Sequence, residues 1–326
     1  MVLDPPAAEA VEAARAMGNA ARRARVVVVL PAYNAGETLR KTYADIPPGW
    51  VDESILVDDC SKDDTVEVAK SLGIHVIQHV KNRGYGGNQK TCYAEALKRG
   101  ADIVIMLHPD YQYDPRLIPM MILPIQLGIL DVMLGSRVRT RRECLESGMP
   151  MYKYLGNRVL THFENRALGL NLTEFHSGYR AYNLHSLAQI EFSQMTDDFH
   201  FDTEIIIKLH HQGFKIHEVP IPTFYGDEIC YVDGVPYGMS VLRDVATYRL
   251  HKMGFGTGTT AFASERYEVK IGHDSSHDTV LEWASARPPG RVLDLGCGDG
   301  SIGAVVRSAG HEVVGVDLVE APEVHD

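Results

Sequence analysis

Three short clusters carry the residue types that do chemistry. Pro31-Ala32-Tyr33-Asn34, Asp58-Asp59-Cys60-Ser61 and His108-Pro109-Asp110-Tyr111-Gln112-Tyr113-Asp114 each follow an apolar run. Asp, Asn and Pro all favour turns, so turn chemistry accounts for any one cluster taken alone. Three clusters in succession, all at strand ends, point to one shared site where carboxylates, an imidazole and phenols bond a polar ligand.

The elements that must position them follow from the apolar pattern. Arg25–Leu30 (RVVVVL) is a near-continuous β-branched run, as in a strand buried on both faces. Pro31–Gly36 reads as a turn and Glu37–Asp45 as a helix. Ser54–Val57 is a second strand, Asp63–Leu72 a helix stopped by Gly73, and Ile74–Gln78 a third strand. Asn88–Arg99 is a helix stopped by Gly100, and Asp102–Leu107 a fourth strand. Val241–His251 has the pattern of an amphipathic helix. Strands alternating with helices imply an α/β fold with a mainly parallel, Rossmann-like central sheet flanked by helices. In such sheets ligands bind beyond the carboxyl ends of the strands, where the clusters lie.

Composition bounds the function. With 326 residues, 45% hydrophobic and 23% charged, the chain has an ordinary globular make-up and room for more than one domain. Lys+Arg 32 against Asp+Glu 43 gives a net charge of -11, which disfavours nucleic acid as a partner. Five scattered cysteines without a C-x-x-C pair argue against a disulfide framework or structural zinc, and a reducing cytoplasm is the simplest compartment. The apolar stretch Met120–Leu134 is interrupted by Pro124, Gln126, Gly128 and Asp131. It falls short of the ~20 residues that span a bilayer, so peripheral contact at the inner face is the expected membrane relation.

The motifs together resemble a known family. PAYN, VDDCSKDDT, N-x-G-x-G-G at 82–87 and LHPDYQYDP are followed by GSR at 135–137, EFHSGYR at 174–180, FDTE at 201–204 and EVPI at 218–221. This order and spacing, from Arg25 to Gly254, is similar to the family-2 glycosyltransferases of GT-A fold. The branch it most resembles is the dolichyl-phosphate mannose synthases and related polyprenyl-phosphate glycosyltransferases, which move a sugar from a nucleotide donor to a lipid phosphate. The resemblance implies a nucleotide-diphosphate sugar, of GDP-mannose or UDP-hexose type, bound by Pro31, Tyr33, Glu37, Gly84, Gln89, His108 and Asp110. Asp58 or Asp59 would accept hydrogen bonds from base or ribose. It implies a divalent metal, Mn or Mg, on the Asp-x-Asp-x-Gln segment, which maps onto His108, Asp110 and Gln112. It further implies catalytic roles for Asp110, Arg137 and Glu204, and an acceptor site at Arg137, Ser177 and Arg180.

Two departures stand out. His108 replaces the first acid of the metal motif. On an extended segment, residues 108, 110 and 112 share one side; imidazole is a softer ligand that suits Mn or Zn. The other reading makes His108 a packing residue and leaves the metal to Asp110. Residues 216–242 contain no Lys or Arg and carry Asp227, Glu228 and Asp233, where the lipid-phosphate branch has basic residues. Positive charge gathers instead at Arg137, Arg139, Arg141 and Arg142, with Lys153 and Arg158 beyond, which suits an anionic membrane.

A phosphate acceptor is already anionic and needs no general base; the protein aligns it with the anomeric carbon and stabilises the leaving diphosphate, with inversion. A hydroxyl acceptor on a glycan or small molecule needs a base, with Glu204, Asp202 and Glu174 as candidates. A third reading is a nucleotide-binding module without catalysis.

The last segment has its own pattern. Gly254–Thr260 begins a Gly/Thr-rich linker extending to 288, with helix within 264–285. From 289 on, RVLDLGCGDG, a helix at Ser301–Ser308 and the strand His311–Val316 ending in Asp317 resemble the start of a class I S-adenosylmethionine-dependent methyltransferase. Its site residues would be Asp294, Gly296, Gly298 and Asp317. A complete sheet needs more strands, so the expectation is an incomplete domain without methyl transfer, behind an N-terminal tail 1–24 and a glycosyltransferase domain 25–254.

Overall fold

The computed structural model describes residues 24–138, 140–223, 233–253, 276–295, 297 and 300–316. The chain divides into two compact units, Met1–Ala246 and Thr247–Asp326.

The first unit is built on a seven-stranded sheet of order β3-β2-β1-β4-β6-β5-β7. Its strands are β1 (Val26–Ala32), β2 (Glu53–Asp58), β3 (His75–Gln78), β4 (Ile103–Met106), β5 (Val132–Ser136), β6 (Arg180–Asn183) and β7 (Ile216–Pro220). β1 pairs in parallel with β2 and β4, in the registers Val29↔Ile55 and Val28↔Ile105. β6 runs antiparallel to both β4 and β5. All seven residues of β1 are buried, which a β-branched run satisfies when helices cover both faces.

Helices α1 (Gly36–Ala44), α2 (Thr65–Ser71), α3 (Gly84–Lys98) and α4 (Ile118–Gln126) connect the first strands. α5 (Arg141–Glu146), α6 (Met151–Leu168), α7 (Leu184–Ala188), α8 (Phe201–His211) and α9 (Gly234–Lys252) follow. One core packs Leu30, Leu39, Leu56 and Ile105 with Met121, Ile122, Tyr179 and Ile221.

Three local readings change. β1 continues through Pro31 and Ala32, so Pro31 is a buried strand residue opposite Val57 rather than the start of a turn. α3 starts at Gly84, not Asn88, so the glycine motif lies inside the helix. Residues 108–112 are a turn and not an extended segment, because Tyr111 has φ 60° and the Asp110 carboxylate accepts from Gln112 N at 3.0 Å.

The second unit holds α10 (Ser276–Ser285), β8 (Arg291–Leu295), α11 (Ser301–Ser308) and β9 (Glu312–Val316), with β8 and β9 parallel in the register Leu293↔Val314. Gly296, Gly298 and Asp317 lie outside the described residues, as do Arg139, Asp227, Glu228 and most of the expected tail and linker.

Candidate functional site

The acidic motif after β2 is first of all a clamp. Asn34 N donates to Ser61 Oγ at 2.8 Å, Ala35 N to Thr65 Oγ1 at 2.8 Å and Gly36 N to Asp63 Oδ2 at 2.9 Å. Side chains from VDDCSKDDT therefore take up the amides at the start of α1, which has no intrahelical partner for them. Asp59 closes a second junction. Its carboxylate accepts from Arg83 N at 2.8 Å and Gly84 N at 3.0 Å, and meets His79 Nδ1 at 2.7 Å. These contacts occupy Asp59 with the entry to α3. Asp58 is buried too, but among the described residues its oxygens meet only Ser61 N, at a long 3.3 Å each. Between the two acids, Asp58 keeps the greater accepting capacity. Tyr33 and Glu37 stand exposed at the same turn.

The glycine motif serves packing. Gly86 N donates to Asp197 O at 2.7 Å, and Cβ atoms at Gly84 and Gly86 would lie 2.8 and 2.5 Å from the carbonyls of Asp197 and Thr196. Gly84 also enters α3 at φ 80°. Its place against the Asp197 backbone gives it a structural task.

A buried polar network lies between α3, α8 and β6. Arg180, 0% exposed, donates to Ser177 O at 2.6 Å, Phe175 O at 2.7 Å and Asp202 O at 3.0 Å, and pairs with Asp202 Oδ2 at 3.4 Å. Gln89 Nε2 donates to Asp202 Oδ1 at 3.1 Å, and Gln89 Oε1 accepts from Tyr93 Oη at 2.8 Å. Tyr85 Oη donates to Asp202 Oδ2 at 2.8 Å. Burial, followed by the charge of Asp202, pushes the Tyr85 phenol well up, so it stays a neutral donor. Arg180, Ser177 and Gln89, expected to contact ligands, thus lie buried within this network. A fully buried guanidinium held by an acid and three carbonyls is not presented to an acceptor, and Ser177 Oγ accepts from Tyr179 N inside its own turn.

His108 lies against this network. Its ring stacks on Tyr85 with centroids 5.7 Å apart, and a Cβ on Gly178 would fall 2.4 Å from its Nε2. The glycine of SGYR therefore makes room for an imidazole. Burial pushes the His108 pKa down, against the pull of Asp110 and Asp202, with Arg180 and Arg137 adding to the fall. The same interactions bring Asp110, Asp202, Arg180 and Arg137 into one electrostatic neighbourhood. Imidazole and carboxylate, the groups at 108 and 110, are donor types that suit a borderline divalent ion.

Arg137 is fixed from behind. Its backbone N donates to Glu174 Oε2 at 2.6 Å and its Nε to Glu174 Oε1 at 2.7 Å, while Nη2 also reaches Glu174 and donates to His176 O at 3.1 Å. Asn157 of α6 donates to the same Glu174 oxygen at 2.7 Å. Burial alone would raise the Glu174 carboxyl, but the charge and hydrogen bonds of Arg137 outweigh it and hold the group below the ordinary carboxylate value. Glu174 is thus an anchoring anion, not a free base. Asn157 and Tyr85 were not legible as site residues; only the position of Tyr85 within the glycine motif hinted at it.

Glu204 turns to another face of α8. It accepts from Thr196 N at 2.7 Å and gathers with His200 and Asp244, the donor atoms of the three lying within 4.8 Å of one another. Among the described residues this is the one such trio of His, Cys, Asp or Glu. Two positions earlier on α8, the Asp202 carboxylate bonds Tyr85 and Gln89.

A mostly parallel sheet flanked by helices, with its polar clusters beyond the strand ends, is the GT-A architecture. The model described as Glycosyl transferase family 2 matches residues 27–190, and the chain belongs to that family and is a glycosyltransferase. UDP-N-acetylglucosamine–dolichyl-phosphate N-acetylglucosaminyltransferase of Methanococcus voltae is 28% identical, covering 61% of this chain and 86% of that protein. Undecaprenyl-phosphate mannosyltransferase of Micrococcus luteus is 27% identical over 63% of this chain and 85% of that one. A solved structure of glucosyl-3-phosphoglycerate synthase from Mycobacterium tuberculosis, in complex with Mn2+, uridine-diphosphate and phosphoglyceric acid, shares the fold. Its TM-score is 0.53 at 20% identity, covering 72% of this chain and 80% of that one. The methyltransferase resemblance of the last segment gains no support from these similarities. Among the described residues no helix is long and apolar enough to cross a membrane.

Proposed function

We propose that this glycosyltransferase moves a hexose, with inversion, from a nucleotide-diphosphate sugar to a polyprenyl phosphate. The observation that carries the reading is the state of the charged groups around His108 and Asp110. Asp202 is paired with Arg180, and Glu174 with Arg137. Neither acid is poised to take a proton from a hydroxyl. Arg137 is anchored by Glu174, and a guanidinium suits recognition of an acceptor phosphate. That combination favours an acceptor which arrives as its own nucleophile. The two relatives above, named for dolichyl phosphate and undecaprenyl phosphate, point the same way.

In this reading Asp58 accepts from the base or ribose, and the exposed Tyr33 and Glu37 contact the same nucleoside. His108 and Asp110 hold the divalent ion, Mn rather than Mg being the better match to an imidazole. When bound, the ion supplies positive charge to the diphosphate as it leaves. The Mn2+ and uridine-diphosphate of the solved neighbour are compatible with this assignment. Arg137 aligns the acceptor phosphate oxygen with the anomeric carbon, and the Tyr85–Asp202–Gln89 network keeps the floor rigid.

The test is transfer of labelled sugar from a panel of GDP- and UDP-sugars to a polyprenyl phosphate, with Mn2+, Mg2+ or chelator. One nucleotide sugar is expected to support metal-dependent transfer, and Asp110→Ala to lower it by roughly 10^2–10^3-fold with an unchanged melting temperature. Transfer only to glycan or small-molecule hydroxyls would replace the acceptor. Donor binding without turnover or hydrolysis would leave a nucleotide-binding module.

A further inference from the structure

Helix α6 is amphipathic in the reverse of the usual sense. Up to its last turn, where Ala167 and Leu168 are buried, its inward side is polar: Asn157 bonds Glu174, Thr161 is buried, and Glu164 is buried beside His176 Nε2 at 3.1 Å. Its outward side is apolar. Met151, Leu155, Val159 and Phe163 recur every fourth residue, with Tyr152 alongside, and Tyr152, Leu155, Val159 and Phe163 are 73, 55, 54 and 48% exposed. A helix on a globular surface ordinarily turns such a stripe inward. Here the polar side is taken up by the Arg137 anchor, and the stripe faces out.

The stripe does not end with the helix. A Cβ at Gly238 of α9 would lie 3.7 Å from Leu160 Cδ2, and Tyr237 Oη lies 2.8 Å from His176 Nδ1, so the start of α9 packs beside α6. Val235 and Met239 of α9 are exposed there, at 77 and 64%. Exposed apolar residues on two adjoining helices mark a contact with something else.

Charge says with what. The exposed ionisable residues of α6 are Arg158, His162 and Arg166, and its acid, Glu164, faces inward. The acid nearest to Val235 along the chain is Asp233, whose carboxylate accepts from Val235 N at 3.3 Å. An apolar stripe carrying aromatic rings and flanked by cations is the signature of a helix lying in the interface of an anionic bilayer.

We propose that the outward face of α6, continued by Val235 and Met239, lies on an anionic lipid surface. The choice of a lipid over a protein partner rests on the lipid-acceptor reading, which it deepens. Docking there brings Arg137 to the surface from which a lipid phosphate arrives, because Asn157 and Arg137 share the Glu174 carboxylate.

The test is flotation of the full chain with phosphatidylcholine vesicles, with and without phosphatidylglycerol, for wild type, Leu155→Glu and Phe163→Glu. Wild type is expected to float with the anionic vesicles and less so at high salt. Each substitution should lower binding roughly tenfold or more, with the melting temperature retained. Equal flotation of wild type and variants, or no flotation of wild type, overturns the proposal. A wild-type dimer in gel filtration that the same substitutions dissolve would make a second copy the occupant, and overturns it equally. Transfer to a dispersed short-chain prenyl phosphate separates the two readings. Its absence in wild type sinks the acceptor assignment, while flotation decides the surface on its own. Its persistence in Leu155→Glu, together with loss of transfer to a vesicle-borne long-chain acceptor, supports both.

Discussion

The strand ends of β2 and β4 carry similar polar residues and put them to different use. After β2, Asp59, Ser61, Asp63 and Thr65 spend their oxygens on backbone amides of α1 and α3. After β4, His108 and Asp110 face a network of charged side chains, with Arg180, Asp202 and Arg137 in electrostatic reach. Acceptors saturated by amides hold a turn in place. Charged side chains beneath His108 pair instead with one another, Arg180 with Asp202 and Arg137 with Glu174. An acidic motif therefore has to be read by what already occupies its lone pairs.

The network beneath His108 is where that contrast breaks most visibly. Asp202→Ala leaves the Arg180 guanidinium buried without its anionic partner. Removing one member of a buried ion pair costs about 3–5 kcal/mol. Urea denaturation should register that loss, and Asp202→Asn, which keeps the shape and some of the hydrogen bonds, should lose less. If Asp202→Ala unfolds at the wild-type midpoint, Asp202 is not the support proposed for the site floor, and a direct role toward substrate would have to be considered in its place.

Much of the fold was legible because its signals are local. β-branched runs marked β1, β2 and β4, and Gly73 and Gly100 marked helix ends. Those signals act within a few residues. The site was legible only as positions at strand ends. Which acid was free depended on partners far along the chain: Asp59 on Arg83 and Gly84, Gln89 on Asp202, Arg137 on Glu174. The turn at 108–112 was missed because Tyr111 takes up a left-handed conformation that a tyrosine rarely adopts. The packing of Gly84 against Asp197 was not legible, because a glycine that admits a phosphate and one that admits a carbonyl look alike in sequence.

Gly178 sharpens the comparison at smaller cost. A methyl group there meets His108 Nε2, and the ring, stacked on Tyr85, must shift. Gly178→Ala should lose about 1–3 kcal/mol through overpacking and lower turnover by roughly tenfold or more through a displaced imidazole. The double variant His108→Ala, Gly178→Ala should recover the stability and not the activity. Recovery of both would show that His108 is only a packing residue.

The smallest effect concerns the trio that Glu204 joins. Burial, and then the charge of Glu204, push Asp244 up to about 7, with Arg243 opposing. Its Oδ2 is buried without a hydrogen-bond partner. The folded state thus holds the Asp244 proton more tightly than the unfolded chain does. The stability this contributes is full below the ordinary carboxylate value of 3.8 and is lost as pH rises to about 7. Asp244→Asn removes the titration. In chelator, so that no cation separates the two acids, the variant should gain on wild type as pH rises from 5 to 8. The gain is about 1–2 kcal/mol once solvent screening of this partly exposed group is allowed for. Melting curves across that range decide it. A constant difference between the two proteins would mean that Asp244 ionises at its ordinary pKa and that the trio holds no strained proton. A difference that grows with pH and is abolished by Mn2+ would show that the same three groups accept a cation, at a place separate from His108 and Asp110.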